Sequence, residues 1–488
     1  MSESIGERRK VIIIGAGMSG VLTAIKLRSQ GITDFMILEM ADKIGGTWRD
    51  NTYPGLTCDV PAQAYSYEFE PSWKWEKLYA TGGEIYAYIE HCVKKYAISS
   101  HIHYGKRVNH LIQVENGWEI TAEDNTQYLA DVVILCCGSL VYPKTPDIEG
   151  INEFTGPCFH SARWNHDVCM TDKRVGLIGT GSSAVQITSD LAGSTVHYAL
   201  FQRTPAWISL GFQLARPEWL RYLESKFIYI AKLSGKIQRK LLEKLFLNAV
   251  SGQQIPMKII EWLCKKNLDK VSDLTLKQRL TPSYNIGCKR LIVSDTFYDA
   301  IQRPRTTLVT SGIERVTSNG IYTQDGQFHE LDVLIMATGF YAMDYLRGIV
   351  IENKKGETLN EKWANGAFAH RSVSVAGYPN LFMIAGPHSP YGNLPVTQIA
   401  EIQVDYLLAL IGEVITGKVG SICAKEVAQN KYNEKIKAAL PHTLWASGCT
   451  SWYLDAKNSP RVYPFSPREF RNEMKTVNFD EYHMSKLY

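Results

Sequence analysis

Two glycine-rich turns stand where this sequence is best equipped to do chemistry. Gly15-Ala16-Gly17-Met18-Ser19-Gly20 follows the apolar run 11–14, and Gly179-Thr180-Gly181-Ser182-Ser183-Ala184 follows an apolar run that starts at 175. In such a turn the first glycine permits a sharp reversal and the second lets backbone approach a pyrophosphate. A small third residue lets the helix pack closely, and Ala184 is an accepted variant there. Each following helix offers free N–H groups and the positive end of its dipole to an anion. Glu39 stands 24 positions after Gly15, and Arg203 stands 24 positions after Gly179. A carboxylate at the end of the second strand accepts ribose hydroxyls, whereas a guanidinium pairs with a 2′-phosphate. The first unit therefore reads as a site for FAD and the second as a site for NADPH. Either turn alone would also suit an ordinary strand-to-helix loop, but two in matching context argue against that.

Positioning these residues requires two strand–turn–helix–strand units, and the rest of the chain supplies their supports. Residues 131–138 and 332–339 share the same interval from Asp to Gly and read as buried parallel strands whose terminal glycine passes close to a nucleotide. A strand as late as 332 means that the chain leaves a domain and returns to it. The fold class is α/β, with two dinucleotide-binding, Rossmann-like domains. FAD-binding segments are expected at 1–145 and 336–488, the latter including the C-terminal region. A linker and the first NADPH-binding part are expected at 146–216, and the second NADPH-binding part at 283–335. The stretch 150–167 has turn residues and no clear period. Residues 217–282 read as a helical insertion, with Leu241, Leu242, Leu245 and Phe246 set among Lys236, Arg239, Lys240 and Lys244. The simplest reading is an amphipathic helix with a solvated basic face, against a membrane or partner surface.

A length of 488 residues allows roughly two to four domains, and a net charge of +4 points to neither nucleic acid nor a membrane. The ten cysteines form no CxxC pair and no metal-like cluster. Cys136 and Cys137 read as small buried strand residues. With cysteines read as unpaired, a polar N-terminus, and the apolar segment 402–415 broken by Asp405 and Glu413, the expectation is a soluble cytoplasmic protein.

Two longer patterns carry a resemblance. Gly45-Gly46-Thr47-Trp48, Tyr53-Pro54-Gly55 and Asp59 match the pattern GGxWxxxxYPGxxxD. Phe154, Gly156, His160 and Trp164 match FxGxxxHxxxW, with Asn165 where that pattern ends in Pro or Asp. Together with Gln202-Arg203-Thr204-Pro205, Lys289-Arg290, Ala337-Thr338-Gly339-Phe340, Trp445 and the run 448–453, the chain resembles the flavin-dependent Baeyer–Villiger monooxygenases over nearly its whole length. Related flavin monooxygenases that oxygenate nitrogen or sulfur usually have Tyr or Phe in place of Trp164. The resemblance implies an NADPH- and O2-dependent enzyme that inserts one oxygen beside a ketone carbonyl, giving an ester or lactone through a peroxide on the flavin ring, with sulfoxidation as a side activity.

The same resemblance assigns roles. Arg290 corresponds to the active-site arginine, whose permanent charge would steady the anionic peroxide and the later adduct, and Asp59 to the carboxylate that orients it. Thr47, Trp48, Tyr65 and Val108 fall at flavin-contacting positions. Lys289 with Arg203 and Thr204 would hold the 2′-phosphate, and Trp445 would lie near the nicotinamide ribose. Core packing is the plainer reading for Tyr65 and Trp445. His160 titrates near neutrality, yet its place in the linker suggests coupling of domain movement rather than acid–base chemistry. His388 is expected to narrow the substrate pocket. The expected partners are a small ketone and O2, with no nucleic acid, membrane or metal. The alternatives are a flavin monooxygenase acting on amines or sulfides, a disulfide oxidoreductase, which would need a close cysteine pair, and a non-catalytic flavin-binding module.

Overall fold

The computed structural model describes residues 6–71, 75–247, 254–449, 451, 453–454 and 461–486. Thr450 and Trp452, and the side chain of Phe246, lie outside what is described. The first unit is β1 (Glu7–Ile14), α1 (Met18–Ser29) and β2 (Phe35–Leu38). After it come the one-turn helix α2 (Ala62–Tyr65), β3 (Ile102–His103), β4 (Val108–Val114), β5 (Gly117–Ala122) and β6 (Gln127–Leu135). The second unit comprises β7 (Cys158–His160), β8 (Arg174–Ile178), α3 (Ser182–Leu191) and β9 (His197–Phe201). Helices α4 (Glu218–Lys226), α5 (Ile228–Leu242) and α6 (Gln254–Leu268) follow. The chain then returns through β10 (Thr306–Val309), β11 (Val333–Met336), β12 (Val350–Glu352), β13 (Leu381–Met383) and α7 (Val396–Ile415).

The first sheet has the order β12-β4-β5-β6-β1-β2-β3, with β13 also paired to β6. Strand β1 is central and parallel to both neighbours, Ile13 facing Ile37 on one side and Ile134 on the other. Its residues 11–14 are apolar without alternation because both faces are covered. One face packs on α1 and α7, and the other on a cluster around Trp118, Leu111 and Ile351. The second sheet, β10-β9-β8-β11-β7, is wholly parallel. Its glycine turn leaves β8 as the first leaves β1, so both turns open from the carboxyl ends of central strands, where α/β sheets bind ligands.

Residues 158–160, expected in an irregular linker, form the edge strand β7 beside β11. A strand of three residues is too short to show alternation, which is why no period was visible. Cys136 and Cys137 fall just beyond β6, Cys136 buried and Cys137 half-buried. Among the described residues no helix is long and apolar enough to cross a membrane.

Candidate active site

A cavity of about 2100 Å³ lies between the two sheets. Gly15, Gly17 and Glu39 line it from the first unit, and Gly179, Gly181, Ser182, Ser183, Arg203 and Thr204 from the second. Thr47, Trp48, Asp59, Tyr65, Val108, Lys289, Arg290 and Trp445 complete that part of the wall. Gly20 and Ala184 do not face it. A Cβ at Gly20 would lie 1.9 Å from the Gly15 carbonyl oxygen, so this glycine lets α1 close onto its own turn. Ala184 is buried in the second domain's core.

The wall suits two dinucleotides. Gly17 and Gly181 are the N-caps of α1 and α3, and neither helix has a side-chain cap, which leaves both sets of N–H groups facing the cavity. Glu39 is buried at the end of β2, where Oε2 accepts from Ala16 N at 2.7 Å and Oε1 from Ala41 N at 3.0 Å. Arg49 also donates to Oε1 at 2.8 Å, a contact the sequence did not suggest. An ionised carboxylate has about four lone-pair directions, so Glu39 retains capacity for one further donor. On the opposite side Lys289 and Arg203 share a patch, and among the described residues neither pairs with a carboxylate. Burial and then the Arg203 charge push the Lys289 ammonium below its usual range, while its Nζ rests 4.7 Å from the Tyr284 ring centre.

Arg290 and Asp59 meet where the domains meet. Asp59 belongs to the strand Thr57–Pro61 of the first domain, and its Oδ2 accepts from Ser182 Oγ at 3.1 Å at the start of α3. Arg290 Nε lies 3.5 Å from the same Oδ2, its side chain 42% accessible against 12% for Asp59. Burial pushes the Asp59 carboxyl up, opposed by the Arg290 charge and the Ser182 hydrogen bond. For Arg290, burial opposes the charge, but Tyr453, Asp59 and Cys58 outweigh it and keep the guanidinium protonated. Among the described residues Asp59 Oδ1 is buried with no hydrogen-bond partner, and a bound group can supply one. Beside this pair Trp48 Nε1 donates to Tyr65 OH at 3.2 Å, and the two rings pack edge to face at 5.6 Å.

Ser183 is engaged elsewhere, donating to Tyr53 OH at 3.1 Å, while Tyr53 in turn donates to Gln186 Oε1 at 3.0 Å. Tyr53-Pro54-Gly55 is thereby a clasp between the domains. Tyr453, reached only as part of a motif, proves to be a direct partner of Arg290.

The second signature stands off the cavity. Phe154 is buried with Val316, Leu331 and Leu334, Gly156 backs onto the Asp332 carbonyl, and Trp164 packs edge to face on Phe159. His160 Nδ1 accepts from Ala162 N at 3.1 Å, and burial pushes its pKa down to about 4, so it is neutral at physiological pH. His388 also lies off the cavity wall, contrary to expectation. It sits in a buried loop, in the left-handed region at φ 59°, while Ala385, Tyr391 and Gly392 around it form the wall.

The cysteine reading is corrected as well. Cys288 and Cys449 form a disulfide across 161 residues, joining the segment of Lys289 and Arg290 to the C-terminal region. No local spacing marks such a pair. Neither sulfur lines the cavity, so this is not a redox pair facing a bound ring. Among the described residues no cluster of three or more His, Cys, Asp or Glu could hold a metal ion.

A family model described as flavin-binding monooxygenase-like matches residues 8–363. An uncharacterized monooxygenase of Mycobacterium tuberculosis is 38% identical over 98% of this chain and 96% of its own length. A Baeyer–Villiger monooxygenase of Streptomyces coelicolor is 35% identical over 98% of this chain and 93% of its own. Among solved structures, OTEMO in complex with FAD and NADP is similar at a TM-score of 0.85 and 25% identity, covering 98% of this chain and 99% of that one.

Proposed function

The chain belongs to the flavin-binding monooxygenase-like family, among its Baeyer–Villiger members, and from that premise we propose how its own residues serve the reaction. The protein is an NADPH- and O2-dependent flavoprotein monooxygenase that inserts one oxygen atom next to a ketone carbonyl to give an ester or lactone. FAD, when bound, supplies the redox chemistry: NADPH provides two electrons, one oxygen atom of O2 enters the product and the other leaves as water.

Gly15, Gly17 and the N-terminus of α1 would hold the FAD pyrophosphate, and Glu39 would accept from the adenosine ribose. Thr47, Trp48, Tyr65 and Val108, which line the cavity, would hold the flavin. Gly179, Gly181 and the start of α3 would hold the NADPH pyrophosphate, Arg203, Thr204 and Lys289 would hold its 2′-phosphate, and Trp445 would serve its nicotinamide ribose. Ser182 positions Asp59, and Ser183 holds the domain clasp through Tyr53.

The observation that carries the reading is Arg290, a permanently charged group on the cavity wall beside the buried carboxylate that orients it. Negative charge grows on the substrate carbonyl oxygen as the new C–O bond forms, and a fixed guanidinium on the cavity wall stabilises it without reorganisation. Asp59 holds the guanidinium in place through Nε, and Tyr453 constrains it further. His160 and Trp164 act at a distance, by seating β7 against β11 where the two halves join. The partners required are a small ketone and O2. A cytoplasmic location, with a supply of NADPH, belongs to this proposal as well, although the Cys288–Cys449 disulfide removes the unpaired cysteines as an argument for it.

The test is product mass after incubation with FAD, NADPH, ¹⁸O-labelled O2 and a panel of cyclic, linear and aryl ketones with one organic sulfide. An ester or lactone carrying one heavy oxygen is expected. Sulfoxide with no ester from any ketone would instead indicate a nitrogen- and sulfur-oxygenating enzyme.

A further inference from the structure

The helical insertion exposes what a solvated face would not. Along α5 and the turn that continues it, Lys232-Leu233, Lys236-Ile237, Lys240-Leu241 and Lys244-Leu245 repeat at intervals of four. Residues four apart share a helix face, and the residue before each is turned by about 100°. The result is an apolar stripe with a row of lysines along one side. Tyr229, Leu233, Ile237 and Leu241 are 82, 58, 49 and 52% exposed, so the stripe points outward. Trp219 and Tyr222 on α4, and Ile255, Ile259 and Trp262 on α6, are exposed as well. The opposite side of α5 buries Ala231 and Gly235 next to α2, the helix that carries Tyr65.

Charge selects the occupant of this face. Residues 217–268 hold ten lysines and arginines against four glutamates. Glu224 is buried on Arg216 at 2.6 Å, Arg471 donates to Glu243 at 3.0 Å, and Lys265 pairs with Glu261 at 2.6 Å. A second copy would set one strongly positive face against another. An anionic lipid surface instead offers phosphates to the lysines and acyl chains to the stripe, and lysine stems cover apolar surface while their heads reach outward.

We propose that α4, α5 and α6 form a peripheral docking surface for anionic lipid bilayers. The helices lie in the headgroup plane, the aromatic and aliphatic stripe enters the acyl boundary and the lysine row contacts lipid phosphates. This surface is one helix thick: Leu241 is exposed while Leu242 lines the central cavity, and Ile259 is exposed while Ile260 lines it. A ketone dissolved in the bilayer therefore has a short route to the site, a consequence that rests on the ketone reading above.

The experiment is flotation of the full FAD-loaded chain with vesicles of phosphatidylcholine alone or mixed equally with phosphatidylglycerol. Binding is expected to the mixed vesicles, to weaken with salt, and to be far weaker to neutral ones. Lys232→Glu/Lys236→Glu/Lys240→Glu should lower affinity for mixed vesicles by about a hundredfold or more. Tyr229→Ser/Leu233→Ser/Ile237→Ser should lower it at high salt as well as low. Both variants should keep wild-type flavin absorbance and NADPH oxidation in solution, which separates loss of docking from misfolding or loss of the catalytic reading. Docking is overturned if the wild-type chain stays unbound to mixed vesicles, or if both variants float as it does. A light-scattering mass of two chains that falls to one in the apolar variant would assign the face to a second copy and overturn it too.

Discussion

Arg203→Ala tests the coenzyme half of the site most directly. Lys289 and Arg203 are close enough for Arg203 to push the Lys289 ammonium below its usual range, and no carboxylate among the described residues relieves them. Two cations held together without an anion form a site prepared for a doubly charged group. A hydrogen bond to a charged group contributes about 1.5–3 kcal/mol, so losing the guanidinium should raise KM for NADPH about ten- to a hundredfold. NADH has no 2′-phosphate, and its KM should stay within about twofold, with kcat near wild type for both. Removing Arg203 also lifts the repulsion on Lys289, which then holds its proton more firmly and partly covers the loss. The double variant Arg203→Ala/Lys289→Ala should therefore lose more than the two single losses combined. Steady-state kinetics with both coenzymes provides the measurement. Equal rises in KM for NADPH and NADH would refute the reasoning, since the pair would then not meet the phosphate.

Arg290→Ala should cut ester formation at least about a hundredfold while NADPH oxidation continues as uncoupled peroxide release, read by comparing product with NADPH consumed. Gly20→Ala places a Cβ 1.9 Å from the Gly15 carbonyl, so α1 must shift and the purified protein should lose its bound flavin absorbance. His160 is held near pKa 4 by burial, below the ordinary histidine value, so the unfolded chain takes up a proton first as pH falls. Stability is unaffected above about pH 6.5 and declines between about 6.5 and 4, by roughly 3 kcal/mol from this residue. Urea titrations across that window should show a shallower decline for His160→Gln.

The parts that were legible in the sequence are those where one local rule acts. A strand, a glycine turn and a charge 24 residues on follow from the geometry of a single βαβ unit, so Glu39 and Arg203 could be placed from spacing alone. Arg290 and Asp59 could not, because they are 231 residues apart and their meeting depends on how two domains dock. Only the motifs around them pointed there. The disulfide of Cys288 with Cys449 was invisible for the same reason, its ends being 161 residues apart, whereas Arg49 is near Glu39 in sequence but reaches it through a turn that no local pattern marks. His388 differs: its place in a loop beside the pocket suggests that it narrows the cavity, whereas its backbone at φ 59° belongs to a buried turn. The apolar pattern of α5 was visible, but a periodicity cannot say which face the neighbours cover.

The docking of the domains is itself the device that completes the site. Asp59 comes from the first domain, while Ser182 and Arg290 are supplied by the second, and all three converge on one carboxylate oxygen. Tyr53 reaches Ser183 and Gln186, and Gly55, at φ +77°, comes so near that a Cβ there would lie 2.7 Å from the Gln186 carbonyl oxygen. A closed arrangement of this kind fixes the charge state as well as the geometry. Burial raises the Asp59 pKa, and only Arg290 and Ser182 oppose that rise. If the halves separate, Asp59 loses both, while Arg290 loses the carboxylate that aims it. The contact that aims the Arg290 guanidinium therefore exists only while both halves are docked, and on the proposed function the reaction depends on that docking.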